Sequence, residues 1–172
     1  MKKRTSPRII AGKLKGRRLK SLPGNITRPI TDRVKENLFN IIGTDLYGCS
    51  FLDAFGGTGS VGIEAYSRGA EYVQLLELNL KPYLILKENV SAAKAEGAIS
   101  VLKADALKYL RSNSERSYDY IFIAPPQYHG IWKEALQAID QNASILSKDG
   151  EIIVQIDPKE FQEIAERIKS NL

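Results

Sequence analysis

Phe51-Leu52-Asp53-Ala54-Phe55-Gly56-Gly57-Thr58-Gly59-Ser60-Val61-Gly62 runs from a short apolar strand through a glycine-rich turn into a helical pattern. Gly57, Gly59 and Gly62 have the spacing G-x-G-x-x-G. Without Cβ atoms in the way, a ligand can reach backbone amides and a helix N-terminus. Further strands are expected at 72–76, 99–102, 118–123 and 151–156 besides 51–55 itself, with helical patterns at about 60–68, 80–96, 105–112 and 130–146. An earlier helix places Val34, Leu38, Ile41 and Ile42 on one face, with Asp32 as its N-cap and Gly43 as its stop. A last helix opens at Asp157-Pro158-Lys159-Glu160 and carries Phe161, Ile164, Ala165 and Ile168 as its apolar stripe. Strand–helix alternation with nearly continuous apolar strands predicts an α/β, Rossmann-like fold, a mostly parallel sheet with helices on both faces.

The composition agrees with one such domain and excludes several functions. The 172 residues are 43% hydrophobic and 26% charged, which is ordinary globular usage. No apolar run reaches the ~20 residues of a membrane span, and Met1–Ile10 lacks the apolar core of a signal peptide. A soluble protein of the cytoplasm is expected, with no membrane partner. Cys49 is the only cysteine and His129 the only histidine, so no Cys/His metal cluster can be assembled, and a nucleophile triad, which would have to rest on His129 alone, is not expected. Cys49 reads as a small inert hydrophobe, Trp132 as core beside Leu136 and Ile139, and His129 as an exposed loop residue.

The net charge of +5 conceals a split. Residues 1–35 hold twelve lysines and arginines against the single acid Asp32, so the remainder is acidic. A basic segment on an acidic body is the footprint of a polyanion binder. Arg8-Ile9-Ile10-Ala11 and Arg17-Arg18-Leu19-Lys20 flank Gly12-Lys13-Leu14-Lys15-Gly16 and predict a basic β-hairpin. The expected organisation is therefore an arm over 1–22 and a catalytic-type domain over 23–172. Candidate RNA contacts are Arg8, Lys13, Lys15, Arg17, Arg18, Arg28 and Arg33.

Three acids accompany the glycine loop: Asp53 ends the first strand, Glu77 the second, and Asp105 follows the third. Glu77, twenty residues after Gly57, suits ribose hydroxyls. The glycine pattern leaves a dinucleotide and S-adenosylmethionine both open. Asp53 favours the second, because a carboxylate there repels a pyrophosphate and attracts a cationic amino-acid end. Each acid could instead merely cap the helix that follows it.

At this level of detail the residues resemble a known family. Asp53-Ala-Phe-Gly-Gly57-Thr-Gly59-Ser-Val-Gly-Ile-Glu-Ala is similar to motif I of class I S-adenosylmethionine-dependent methyltransferases. More narrowly, Arg8-Ile-Ile-Ala-Gly-Lys, Gly16-Arg-Arg-Leu, Thr27-Arg-Pro-Ile-Thr-Asp-Arg33-Val-Lys-Glu36-Asn-Leu-Phe39 and Gly62-Ile-Glu-Ala-Tyr-Ser-Arg-Gly-Ala70 resemble the RsmD family. The resemblance spans about residues 8–157. It implies S-adenosyl-L-methionine as cofactor, methylation of a guanine N2 in 16S ribosomal RNA, and ribosomal RNA or the small subunit as partner. A monomer without a metal is expected. Gly57, Gly59, Glu77 and Asp105 carry over as cofactor contacts, with Asp53 as the motif I acid.

Two departures stand out. Where the family has Asp-Pro-Pro-Tyr after the fourth strand, this chain has Ala124-Pro125-Pro126-Gln127-Tyr128. Ala124 has no side-chain acceptor, so a backbone carbonyl of Ala124 or Pro125 is expected to meet the target amine while Tyr128 stacks on the base. The base is expected to enter between Pro125-Pro126 and the Thr27–Arg33 segment. The chain also ends at Leu172, leaving no length for the family's C-terminal strand hairpin. The rival readings are an RNA-binding module of the same fold with impaired catalysis, and an NAD-dependent oxidoreductase.

Overall fold

A computed structural model describes residues 6–23, 30–112 and 115–162. Five strands alternate with five helices: α1 (Asp32–Ile42), β1 (Ser50–Asp53), α2 (Ser60–Ser67), β2 (Tyr72–Glu77), α3 (Leu80–Ala92), β3 (Ile99–Lys103), α4 (Ala106–Arg111), β4 (Tyr118–Ile123), α5 (Ile131–Gln141) and β5 (Leu146–Val154). All neighbouring strands are parallel, in the order β3-β2-β1-β4-β5. The chain winds outward from β1 to β3, then crosses back to β4, so the order reverses between β1 and β4. In open sheets of this kind the crevice beyond the carboxyl ends at that reversal is the ligand site.

Successive side chains on the strands feed two cores. Phe51, Val73, Leu75, Tyr120 and Phe122 pack under α1, α2 and α3. Leu52, Leu76, Ile121 and Ile123 pack against α4 and α5. Gly62 lets α2 lie close on the sheet, since a Cβ there would meet Leu75 Cδ2 at 2.2 Å.

The predicted strands all form, with shifted boundaries. The helix expected to run to 146 stops at Gln141, because the Asn142 side-chain amide donates to the carbonyls of Leu110 (2.9 Å) and Ser112 (2.7 Å). A short 3-10 turn, Ala143–Ile145, follows, and β5 opens early because Leu146 pairs with Tyr118. The helix predicted over 80–96 ends at Ala92, ahead of Lys94, which adopts a left-handed φ of 53°. The cap of α1 is Thr31, whose hydroxyl accepts from the Val34 amide; Asp32 is instead the first helical residue. The inward face of α1 also differs from the predicted one. Lys35, Leu38, Phe39 and Ile42 are buried, while Val34 and Ile41 face solvent. Helical backbone resumes over 158–162; Ile164, Ala165 and Ile168 lie outside the described residues.

The basic N-terminal segment folds back as a minimal hairpin, with one antiparallel bridge between Arg8 and Arg18 and turns between them. It is packed into the body. Ile9 and Leu19 are buried in the larger core. Gly12 lies so close to the end of α2 that a Cβ would sit 1.8 Å from the Ser67 carbonyl oxygen, and the Ser67 hydroxyl accepts from Leu14 N–H.

The segment is held by Glu64 of α2, whose side chain is completely buried. Its carboxylate accepts from the backbone amides of Ile10 (2.8 Å) and Ala11 (3.0 Å) and pairs with Arg68 Nε (2.8 Å) and Lys35 Nζ (3.2 Å). Lys35, equally buried, also donates to the Arg8 carbonyl and the Ser60 hydroxyl. Burial pulls the Lys35 ammonium below its ordinary range, and the Glu64 carboxylate opposes that shift. Removing one member of such a cluster strands the other in a dry interior. Glu64→Ala should therefore cost about 3–5 kcal/mol in urea denaturation. Arg8→Ala, which removes the exposed Arg8–Asp32 ion pair, should cost under about 1 kcal/mol.

Candidate active site

The strand order brings the carboxyl ends of β1, β2, β3 and β4 around one cavity of about 540 Å³. Asp53, Gly57, Glu77, Asp105, Ala124, Pro125 and Pro126 all line it. Gly59 stands just behind the lining as the N-cap of α2, with a left-handed φ of 91°. A Cβ there would approach Leu86 Cδ1 to 2.5 Å, so the glycine lets the loop turn tightly against α3. Gly57 is also left-handed, at φ 56°, and a Cβ would meet nothing within 4 Å. Its requirement is conformational.

Glu77 fastens the loop. One carboxylate oxygen accepts from Gly57 N–H (3.1 Å) and the other from Asn79 N–H (2.7 Å). Each oxygen keeps a further lone-pair direction. Asp105 caps α4 by accepting from Lys108 N–H at 3.1 Å while it also lines the cavity, so capping and ligand contact are compatible. Asp53 is buried, with the Phe55 amide 3.3 Å from Oδ1. Desolvation pushes its carboxyl up to about 7, assisted by the nearby Glu77 charge and opposed by backbone N–H groups.

The electrostatic character of the cavity is one-sided. Among the described residues its lining includes three carboxylates and no lysine, arginine or histidine. These acids do not form a metal site: among the described residues no group of three or more His, Cys, Asp or Glu side chains is placed to hold a metal ion. The arrangement suits a ligand that brings positive charge with hydroxyl and amino donors. A pyrophosphate there would find no cationic side chain among the described residues to offset the three acids.

The Ala124–His129 loop leaves β4 over the same crevice. Pro125 is buried and Pro126 exposed. Tyr128 stands outside the cavity lining, 62% exposed, in a left-handed conformation of φ 67° that is unusual for a bulky side chain. Its backbone N–H donates to the Glu160 carboxylate at 3.0 Å, which ties the loop to the helical turn after β5. Gln155, in the cavity wall, is a lining residue that sequence reading passed over. It lies in no recognisable motif, and only the sheet order places it here.

The candidate RNA residues among those described differ in freedom. Arg8 pairs with Asp32 (2.8 Å), Arg17 donates to the Ala92 carbonyl, and Lys13 Nζ lies 3.4 Å from the centre of the Tyr66 ring. Lys15, Arg18 and Arg33 are exposed and have no side-chain partner among the described residues. Arg28 lies outside the described residues. Ile30 lines the cavity, so the chain entering α1 reaches its rim.

A parallel sheet in this order, with a glycine loop after β1 and an acid ending β2, is the arrangement that Rossmann-like nucleotide-binding folds and class I methyltransferases share. Comparison with known proteins makes the assignment narrower. The family model described as Conserved hypothetical protein 95 matches residues 7–170, and the chain belongs to that family of rRNA methyltransferases. The Bacillus subtilis protein YlbH is 37% identical over 152 residues, 87% of this chain and 82% of that one. Ribosomal RNA small subunit methyltransferase D of Buchnera aphidicola is 32% identical over 88% of this chain and 78% of its own length. The solved structure of yhhF from Escherichia coli superimposes with a TM-score of 0.76 at 31% identity, covering 86% of this chain and 78% of that one. No helix among the described residues is long and apolar enough to cross a membrane.

Asp53 gives a pH test. Unfolded, its carboxyl ionises near the ordinary 3.8; folded, it holds its proton up to about 7. The native state thus binds the extra proton between these values, and stability falls as pH rises through that window. Asp53→Asn removes the effect. Relative to wild type, the variant should gain at least about 1 kcal/mol in urea denaturation between pH 5 and pH 8.

Proposed function

We propose that the protein transfers a methyl group from S-adenosyl-L-methionine to the exocyclic N2 of a guanine in small-subunit (16S) ribosomal RNA, working in the cytoplasm. The observation that carries this reading is the cavity at the β1/β4 reversal, which gathers three carboxylates and no cation among the described residues. Membership of a family whose relatives include ribosomal RNA small subunit methyltransferase D supports the substrate. When bound, the cofactor supplies a methyl group made electrophilic by its sulfonium.

The chain's own residues divide the work. The Gly57–Gly59 loop leaves room for the cofactor against the start of α2. Glu77 takes the ribose hydroxyls, Asp105 the adenine amino group, and Asp53 the ammonium of the amino-acid end. A cation beside Asp53 stabilises its ionised form, so binding near pH 6 should expel a proton. The buried Pro125 and its neighbours Ala124 and Pro126 form the floor on which the base docks, with Tyr128 at the rim for stacking. Lys15, Arg18 and Arg33 engage phosphates, with Arg8, Lys13, Arg17 and Arg28 on the same segment. Methyl transfer asks chiefly for alignment of amine and methyl, so the lack of an acid at Ala124 does not bar catalysis. A dinucleotide, as an oxidoreductase would need, finds its pyrophosphate opposed by Asp53, Glu77 and Asp105.

Isothermal calorimetry should show S-adenosylmethionine binding and none by NAD. Glu77→Ala should weaken that binding by about 1.5–3 kcal/mol, since charge-assisted bonds to hydroxyls are lost. Equal affinity in wild type and variant would refute the ribose assignment. Replacing Lys15, Arg18 and Arg33 together by alanine should leave cofactor affinity intact. The slope of log K for small-subunit RNA against log salt should fall by about 2 units.

A further inference from the structure

The cavity has two chemically different ends. Its three carboxylates stand on the β1–β2–β3 side, whereas the β4–β5 side is lined by Ala124, Pro125, Pro126, Ile131 and two carboxamides, Gln127 and Gln155. Gln127 lies exposed in the loop. Gln155 directly follows β5, and its backbone N–H donates to the Ile123 carbonyl at 2.9 Å. Val154 pairs with Ile123, so Gln155 is set beside Ala124 across the β4–β5 ladder. It is half-buried, and its side-chain amide has no hydrogen-bond partner among the described residues.

A guanine entering this end brings an amine with two N–H donors into surroundings of alanine, proline and isoleucine. A polar group taken out of water without a partner is costly, so a built site supplies an acceptor. Ala124 and the prolines offer no side-chain acceptor. We propose that the carboxamide oxygen of Gln155 accepts a hydrogen bond from the target amine and aims its lone pair at the methyl group. This inference rests on the methyltransferase reading above and assigns the catalytic acceptor within it. The nitrogen's electron pair forms the new N–C bond while the C–S bond breaks with its pair passing to sulfur. The surplus proton on nitrogen then leaves to water. An amide is too weak a base to take that proton, so Gln155 orients the amine and fixes which of its faces is presented.

The test uses the full-length protein, S-adenosylmethionine and undermethylated small subunits, together with two short RNAs. One RNA spans the mapped target; the other carries inosine, which lacks the exocyclic amine, at that position. Gln155→Ala should lower the single-turnover methylation rate 10- to 100-fold, with cofactor affinity by calorimetry within twofold of wild type. The preference of wild type for the guanine RNA over the inosine RNA in binding should shrink toward unity in the variant. Adding Ala124→Asn to Gln155→Ala should return at least a third of the lost rate by restoring an acceptor next door. If the alanine variant fails to melt cooperatively, Gln155→Met keeps the volume and removes the acceptor. A variant rate within twofold of active wild type, or an unchanged guanine preference, overturns the role of Gln155 alone. Wild type that methylates no ribosomal substrate overturns the functional reading and this inference with it.

Discussion

The buried carboxylate of Glu64 is the constraint around which the rest is arranged. Four donors converge on it, from the amides of Ile10 and Ala11, Lys35 of α1 and Arg68 just past α2. An ionised group in a dry interior is tolerable only when its lone pairs are satisfied, and here the partners come from three separate pieces of chain. The N-terminal hairpin, α1 and α2 are thereby locked into one relation. Because α2 begins at the glycine loop and Lys35 also holds the Ser60 hydroxyl at its first residue, the same cluster fixes the cavity wall. The basic hairpin and the cavity wall thus share an anchor.

This explains why the charge pattern misleads if every cation is taken as a phosphate contact. Lys35 spends its charge inside the protein, and Arg8 and Lys20 are paired with Asp32 and Glu88. What faces solvent without a partner among the described residues is the smaller set Lys15, Arg18 and Arg33. Ordering the segment costs conformational entropy, and burial of Ile9 and Leu19 offsets it. The basic segment is therefore a fixed surface.

Much of the fold was legible because strand–helix alternation and the glycine loop are local signals. That Asp53, Gly57, Glu77 and Asp105 line one cavity was legible because each sits at or just past a strand's end, and parallel pairing carries strand ends to one edge. The sequence misjudged α1, where apolar spacing pointed to Val34 and Ile41. The helix instead turns Lys35 inward to a partner twenty-nine residues away, which no periodicity reports. The length of α5 was misread for a similar reason, since Asn142 stops it by bonding to the end of α4. Gln155 was invisible, and the bond of Glu160 to the Tyr128 amide with it, because their place depends on β5 lying next to β4.

The division of the cavity into an acidic end and an uncharged amide end gives the account its chemical content. In the proposed reading a cationic cofactor takes the first and a neutral, hydrogen-bonding base the second, with the methyl group passing between them. The most direct measurement is nucleoside analysis of undermethylated small-subunit RNA after incubation with the protein and methyl-labelled S-adenosylmethionine. The account predicts label in N2-methylguanosine at a single position, in amounts approaching one per particle. Label in another nucleoside, or none with cofactor demonstrably bound, would contradict it.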